Sequence, residues 1–364
     1  MKTSSLQFRG AAHLKHRLIL ATLSGKSIKV TDIRPDGLAP GLRDYEISLL
    51  RLLDALTTGM TLEINETGTA VRYVPGYVRG GDEIVHECAT SRGIGYYAEL
   101  VFMLAPFGKK TTRVVLKGVT NNPLDESVDV LEAVTVPLMR RLGLCTHSEP
   151  VHVKMFKRGL QPGAGGEMVI TCPVIPKLDI IKLTDPGYVK RVRGVAFSCR
   201  VSPAFSNRLI DETRRILNDF TGDVFIYSDH AERAKAGNSP GFGITLVSES
   251  TTHCLLATDA TSSLNEQEPE QCAKLAAYAL LDEIDQGGCI PSSHQCMVLL
   301  AMALSEPDVS KLVTGKLSNA AIQLLRDIRL FLGVTFKIKE QEGSEALTLS
   351  CIGVGMVNAA RNRH

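Results

Sequence analysis

The 364-residue sequence predicts an α+β protein made of three repeats of a two-helix, four-stranded-sheet unit with a small inserted α/β domain. Helix and strand patterns recur in one order three times along the chain. In the third copy, roughly 90 residues separate the first strand from its helix, which is too long for a plain loop. We therefore expect a repeat-built domain at 1–197 and 287–364, and an inserted domain at 198–286.

The first copy starts with an amphipathic helix at 11–25, in which Gly25 is the expected stop. A strand follows at 27–33. The second helix, at 41–59, has a stripe of leucines on one face. Two alternating strands at 60–76 complete the unit, with a turn at its centre.

The other two copies follow the same order. The second has strands at 83–89 and 111–119, helices at 91–108 and 125–143, and a closing strand pair at 151–159 and 166–174. The third has a first strand at 190–198, helices at 292–305 and 318–333, and strands at 310–315, 334–341 and 347–355. The inserted domain has helices at 204–220 and 269–285, with strands at 223–229, 242–250 and 253–260.

Composition excludes several classes of protein. Hydrophobic residues are 44% and charged residues 22%, as in ordinary globular proteins, and a net charge of +2 does not by itself indicate a nucleic-acid partner. The nine cysteines form no C-x-x-C pair, which argues against a zinc site and is typical of a reducing compartment. No apolar run approaches the length of a membrane span and no signal-peptide layout is present, so we expect a soluble intracellular protein.

The loop at 157–167, KRGLQPGAGGE, has two interpretations. Backbone N–H groups of the glycines could converge on an anion beside two cations. The candidate residues are Lys157, Arg158, Gly163, Gly165 and Gly166. Alternatively, the glycines serve only the geometry of a hairpin connection between two strands. The residues alone favour the hairpin.

The same segment carries a family resemblance. RGLQPGAGGEMVI (158–170) resembles the R-G-x-x-P-x-G-G-G-x-[LIV] signature of RNA 3′-terminal phosphate cyclases, with Ala164 in one glycine place. IRPDGLAPGLRDYE (33–46) and LKGVTNNP (116–123) are similar to other segments of that family. SRGIGYYAEL and LTDPGYVKRVRG resemble its eukaryotic cyclase-like branch. The resemblance covers nearly the whole chain and implies the repeat fold with its insertion.

Catalysis by a cyclase needs a histidine that attacks the α-phosphate of ATP. The resemblance aligns QLLRDI with the segment that carries this histidine, which places Gln323 at the position of the nucleophile. A carboxamide nitrogen is not nucleophilic at neutral pH. The nearest histidines in the sequence are His294 and His364. The family's E-G-G-G-Q run is also replaced, by residues 9–12. We therefore expect that adenylation is lost and that no cofactor is bound.

The resemblance implies a non-catalytic assembly factor in early pre-rRNA processing, leading to 18S rRNA and the small ribosomal subunit. It implies a nucleolar location and three partners: a ribosome-assembly GTPase, the U3 snoRNP within the small-subunit processome, and pre-rRNA. An RNA-facing cleft would keep cations from the ancestral enzyme. The candidates are Arg43, Lys157, Arg158, Lys190, Arg191 and Arg193.

An endoribonuclease that reuses the old cleft is the alternative. Arg326, Asp327 and Arg329 follow Gln323 on one predicted helix, where cations could stabilise a phosphorane while the carboxylate handles a proton or a metal. The competing interpretation is an amphipathic helix with a charged outer face. The residues favour the second interpretation. No metal site is expected.

Overall fold

The structure, a computed structural model, describes residues 5–146, 148–231, 234–263, 266–341 and 343–358. It is a mixed α/β protein, consistent with the predicted α+β class. The first sheet has the strand order β1-β2-β5-β4, with β1 and β2 parallel and the other pairs antiparallel; β3 and β6 form a separate ribbon. The first elements are β1 (Leu6–Arg9), α1 (Leu14–Ser24), β2 (Ile28–Thr31), α2 (Asp44–Leu56), β3 (Thr57–Thr58), β4 (Thr61–Ile64), β5 (Val71–Val74) and β6 (Tyr77–Val78).

The second sheet has the order β7-β8-β10-β9, again with one parallel pair followed by antiparallel pairs. The helix predicted at 125–143 is interrupted by a π turn, Leu131–Thr135. Pro137 follows this turn and has no N–H to donate to the regular helical ladder. The elements are β7 (Glu83–Glu87), α3 (Ile94–Leu104), β8 (Thr112–Gly118), α4 (Val128–Val130), α5 (Val136–Arg141), β9 (His152–Lys157) and β10 (Gly166–Cys172).

The remaining strands form two sheets, ordered β11-β16-β18-β17 and β13-β12-β14-β15. In chain order, the first elements after β10 are β11 (Lys182–Leu183), β12 (Val189–Cys199), α6 (Ala204–Leu217), β13 (Val224–Ala231), β14 (Gly241–Ser250), β15 (Leu255–Ser263) and α7 (Pro269–Asp285). The chain then continues through α8 (Gln295–Leu304), β16 (Val309–Thr314), α9 (Asn319–Leu332), β17 (Lys337–Glu340) and β18 (Leu347–Ile352).

The assignment of 190–198 as the first strand of the third copy is wrong. That segment is β12, which pairs with β13 and β14, whereas the parallel neighbour of β16 is β11. A two-residue strand has too short a pattern to be recognised in a sequence, and the longer β12 takes its place in the prediction. The predicted domain boundary at 197/198 falls inside β12; the division into domains stays a prediction.

Two large hydrophobic cores, with two smaller clusters beside them, hold these elements together. The larger lies between the helices α1, α2, α3, α8 and α9 and the first three sheets, and includes Leu18, Leu50, Phe102 and Phe331. The smaller lies between α6, α7 and the fourth sheet. All nine cysteines are buried and free, so they pack as small apolar side chains. None of the helices within the described residues has both the length and the apolar character that crossing a bilayer requires.

Candidate functional site

A cavity of about 650 Å³ lies where the helix starts of α1, α8 and α9 meet α3. Gly10 and His13 have φ values of 69° and 61° in the turn between β1 and α1. This left-handed turn redirects the chain, so that the first turn of α1 faces the cavity. Lys15 and His16 on that turn both contact Glu99 of α3, with 3.0 Å between His16 Nε2 and Glu99 Oε1. Burial opposes ionisation of Glu99, but its contacts with Lys15 and His16 outweigh this effect and lower the pKa of the carboxyl.

A second ion pair lies at the start of α3. Arg92 Nε donates to Asp125 Oδ2 at 2.9 Å, and the backbone N–H of Gly93 donates to the same oxygen at 2.7 Å. The guanidinium also lies over the ring of Tyr96, 4.3 Å from its centroid. Burial disfavours the cation, but Asp125 outweighs it and the pKa of Arg92 is raised. This arrangement fixes Arg92 at the cavity wall.

Two histidines of the cavity have opposite protonation preferences. His294, which is 2% exposed, lies with Nε2 2.7 Å from Thr135 Oγ1 and with Nδ1 2.9 Å from Glu126 Oε1. Burial lowers its pKa, but Glu126 and other carboxylates outweigh this effect and the net shift is upward. The pKa of His13 is lowered, first by burial and then by His16 and Arg17. At neutral pH the imidazole of His13 is therefore neutral.

The charges of the cavity largely cancel. Each cation on its wall already contacts a carboxylate, so an incoming anion must compete with a fixed internal partner. The pairs are Lys15 with Glu99, Arg34 with Glu46, Arg92 with Asp125 and His294 with Glu126.

Gln323 lies on α9 and is not among the described residues that line this cavity. Both ends of its carboxamide form hydrogen bonds. Its Nε2 donates to Asp327 Oδ1 at 3.0 Å, and its Oε1 accepts from Arg326 Nη1 at 3.3 Å. Asp327 also accepts from Arg17 Nε at 3.2 Å, because α1 packs against α9. These bonds hold the carboxamide as a structural group of the helix.

Sequence reasoning missed His13 and His16 of this region. It named only His294 and His364 as near in sequence to Gln323, and His364 lies outside the described residues. The structure places His13 close enough to Asp327 for the carboxylate to affect its pKa. The only available signal was the clustering of two histidines in residues 11–17, directly after the replaced glycine run.

The three nuclease candidates do not lie on one side of α9. Arg326 and Arg329 are exposed, whereas Asp327 is 3% exposed and paired with Arg17. Asp327 therefore lies on the buried side of α9 and the two arginines on its outer side, as in the amphipathic interpretation of this helix.

Arg158 of the glycine-rich segment is an interior residue. It is 2% exposed, and its guanidinium donates to Asp129 at 2.6 and 2.9 Å and to Asp229 at 3.0 Å. The ring of Phe197 lies below it, 4.1 Å from the centroid. Arg158, the residue after β9, thus bridges to α4 and β13, and Asp129 and Asp229 occupy the guanidinium that was one candidate for binding an anion.

The glycines of this loop allow close chain contacts. The N–H of Gly163 donates to Ser239 Oγ at 2.7 Å. A Cβ on Gly163 would lie 2.9 Å from this oxygen, and one on Gly166 would lie 2.6 Å from a methyl of Thr120. Gly165 has φ 82° and packs against Asn238. The loop connects the paired strands β9 and β10, and the positive φ of Gly165 fits the turn geometry of the hairpin interpretation. The packing against 238–239 is an additional contact that the sequence did not indicate.

The other candidate cations are spread over the surface. Arg43, Lys157 and Lys190 are exposed. Arg191 pairs with Glu249 and Arg193 pairs with Asp223. Among the described residues, those that line the 650 Å³ cavity include none of these five. Over the same part of the chain, no group of three or more His, Cys, Asp or Glu side chains is arranged to hold a metal ion.

Comparison with known proteins identifies the family. Residues 6–338 match the model of the RNA 3′-terminal phosphate cyclase family. The human "RNA 3′-terminal phosphate cyclase-like protein" is 44% identical over 98% of this chain and 98% of its own length. The "Probable RNA 3′-terminal phosphate cyclase-like protein" of Dictyostelium discoideum is 43% identical over 98% and 99%. The "rRNA processing protein rcl1" of Schizosaccharomyces pombe is 42% identical over 99% of both chains. The chain therefore belongs to the RNA 3′-terminal phosphate cyclase family, as its motifs predicted.

Proposed function

We propose that this protein is a non-catalytic factor of early pre-rRNA processing, on the route to 18S rRNA and the small ribosomal subunit. The S. pombe relative is named for rRNA processing, and the match to it runs the full length of both chains. In this proposal the protein works in the nucleolus with pre-rRNA, the U3 snoRNP of the small-subunit processome and a ribosome-assembly GTPase. It no longer cyclises RNA ends.

The main support for this proposal is the chemistry of Gln323. The resemblance places this residue where a cyclase has its nucleophilic imidazole. An amide nitrogen delocalises its lone pair into the carbonyl and cannot attack a phosphate at neutral pH. Its hydrogen bonds to Asp327 and Arg326 suit a helix-stabilising role.

The replaced glycine run supports the same conclusion. Arg9 is almost fully exposed, with 89% of its side chain accessible, and its Nε lies 3.6 Å from Asp32 of the same surface. Ala11 and Ala12 contribute only methyl groups to the cavity wall. The carboxylate and the amide that the E-G-G-G-Q run would supply here are absent from residues 9–12.

The test is covalent labelling with ATP that carries the label on its α-phosphate, with an active family cyclase as positive control. We expect the control to become labelled and this protein to stay unlabelled. Because His13, His16 and His294 line the cavity, single alanine variants of the three accompany the assay. A label that forms on the protein and disappears in one of these variants would refute the proposal.

The endoribonuclease alternative is tested by cleavage of a pre-rRNA fragment. The variant Arg326→Ala/Arg329→Ala suits this purpose better than one that includes Asp327, because both arginines are exposed and their removal leaves the buried pair with Arg17 intact. Equal behaviour of this variant and the wild type supports the assembly factor. Specific cuts that the variant loses would establish the nuclease.

The fold also supports an evolutionary inference about its units. The first three sheets share one arrangement, in which the first pair in the strand order is parallel and the later pairs are antiparallel. We infer that they are copies of one repeat and that the fourth sheet with α6 and α7 is the insertion. A pull-down of the GTPase partner by a protein lacking the insertion would tell whether that unit carries the partner site.

A further inference from the structure

The outer face of the sheet β11-β16-β18-β17 carries a group of lysines. Lys182 of β11 is directly opposite Lys311 of β16, and Ser350 of β18 lies between Lys311 and Lys337 of β17. Lys339 follows two residues later on β17. All four lysines are exposed. Among the described residues, no carboxylate lies within 4.0 Å of their ammonium groups.

This lysine face (Lys182, Lys311, Lys337 and Lys339) is the open side of the sheet. Successive strand residues point to opposite sides, and the residues next to Lys311 and Ser350, Leu312 and Leu349, are buried in the core. The helices α8 and α9 therefore cover the other side. A depression of about 630 Å³ lies over this side, and its lining includes Lys182 and Lys311 together with Thr184, Asp308 and Thr348.

The first two sheets provide an internal comparison, because their strands are ordered in the same way. On their outer faces several cations have acidic neighbours, although among the described residues the exposed Lys29 of the first sheet and Lys154 of the second have no carboxylate within 4.0 Å. The pairs are Arg72 with Glu63 in the first sheet, and Arg113 with Glu83 and Lys117 with Glu87 in the second. The third face differs in that all four of its described lysines lack such a pair.

Protection of the sheet edges against pairing with other chains explains only some of these lysines. Lysines on edge strands discourage pairing with other chains, and this suits Lys337 and Lys339 on β17 and Lys182 on β11. It does not explain Lys311, which is on the inner strand β16. Like charges placed directly opposite each other destabilise a sheet, so the arrangement costs stability unless an anion compensates it.

We propose that the lysine face binds the sugar–phosphate backbone of RNA without sequence specificity. Neighbouring strands are about 5 Å apart and alternate residues about 7 Å apart, so the four ammonium groups cover an area wide enough for several phosphates. Ser350 and Thr348 place hydroxyl groups between the lysines. The described residues of this face include no aromatic ring for base stacking, which favours backbone contact with duplex RNA.

This site is separate from the histidine-lined cavity and does not depend on the loss of catalysis. It rests on the proposed function only for the choice of RNA over an acidic protein segment. The ATP-labelling assay tests the proposed function independently, so a failure of one idea is distinguishable from a failure of the other.

The test compares two variants with the same change in net charge. The first replaces Lys182, Lys311, Lys337 and Lys339 by glutamine. The matched control replaces four other exposed lysines by glutamine: Lys26, Lys29, Lys109 and Lys110. Lys29 lies in the first sheet, on the strand β2 that corresponds to β16.

Binding to a generic RNA duplex of about 20 base pairs is measured by fluorescence anisotropy between about 50 and 200 mM salt. The slope of log K against log salt should become shallower by about 3 to 4 in the first variant, roughly one unit per lysine. The control should change it by less than about one unit. A variant with all four lysines replaced by arginine should keep the wild-type slope, because it keeps the charge.

Two results would overturn the proposal. The first is an unchanged slope in the glutamine variant, or an equal loss in the control. The second is a loss of binding to a poly-glutamate peptide in the glutamine variant while its RNA affinity stays at the wild-type value, which would assign the face to an acidic protein. Circular dichroism of each variant confirms that the comparison is made between folded proteins.

Discussion

Replacing Asp327 by alanine should destabilise the protein by about 3 kcal/mol. Arg17 and Asp327 are 8% and 3% exposed, and their contact joins α1 to α9 at 3.2 Å. Without the carboxylate, the guanidinium of Arg17 stays buried over the ring of Phe8 with no acidic partner, and its Nη1 already lacks a hydrogen bond. Breaking a buried pair costs about 3 to 5 kcal/mol, and we take the lower value because Arg17 keeps some contact with solvent.

Urea denaturation followed by circular dichroism measures this loss. Arg326→Ala, one residue away but exposed, is the control and should change the free energy of unfolding by less than about 0.5 kcal/mol. The double variant Arg17→Met/Asp327→Leu should recover most of the stability, because apolar residues of similar size often replace a buried pair without loss. If Asp327→Ala unfolds at the wild-type urea concentration, the reasoning about this pair is refuted.

Two further predictions concern other elements. Burial raises the pKa of Asp259 to about 6, above its value in the unfolded chain. The stability that this carboxyl contributes is therefore present in acid and is lost as the pH rises through 6. Asp259→Asn should flatten this part of the curve of stability against pH, and a variant as pH-dependent as the wild type would contradict the assignment. Gly159→Ala should destabilise the protein, because its Cβ would lie 2.2 Å from the backbone nitrogen of Gly166. Gly222→Ala is the control and should be neutral, since its Cβ would meet nothing within 4 Å. Equal urea midpoints of the two variants would show that the loop has room for a side chain.

Much of the local structure could be predicted from the sequence. The helix stop at Gly25 and the leucine stripe of α2 follow from residues that are neighbours in the chain, and both are observed. The strand β11 could not be predicted, because two residues carry no periodicity and its pairing depends on β16, more than 120 residues later. The interruption of the helix at 125–143 could not be predicted, because the apolar helical pattern continues through Pro137 without a visible break.

The candidate site, too, could be predicted from the sequence only in part. The identity of residue 323 is a matter of sequence, and an amide has the same chemistry wherever the fold places it. By contrast, Arg158 is a cation in a glycine-rich loop when read from the sequence, and only tertiary packing shows that Asp129 and Asp229 occupy it.

By itself, the sequence determined the family, the class of fold and the absence of an imidazole at position 323. Only the tertiary structure decided which charges are free to meet a partner. Arg17 is held by a carboxylate 310 positions away, while Lys311 has a lysine as its neighbour on β11. The physical reason is that secondary structure depends on neighbours along the chain, whereas the electrostatic environment of a side chain depends on strand register and helix packing, which bring distant residues within a few ångströms of each other.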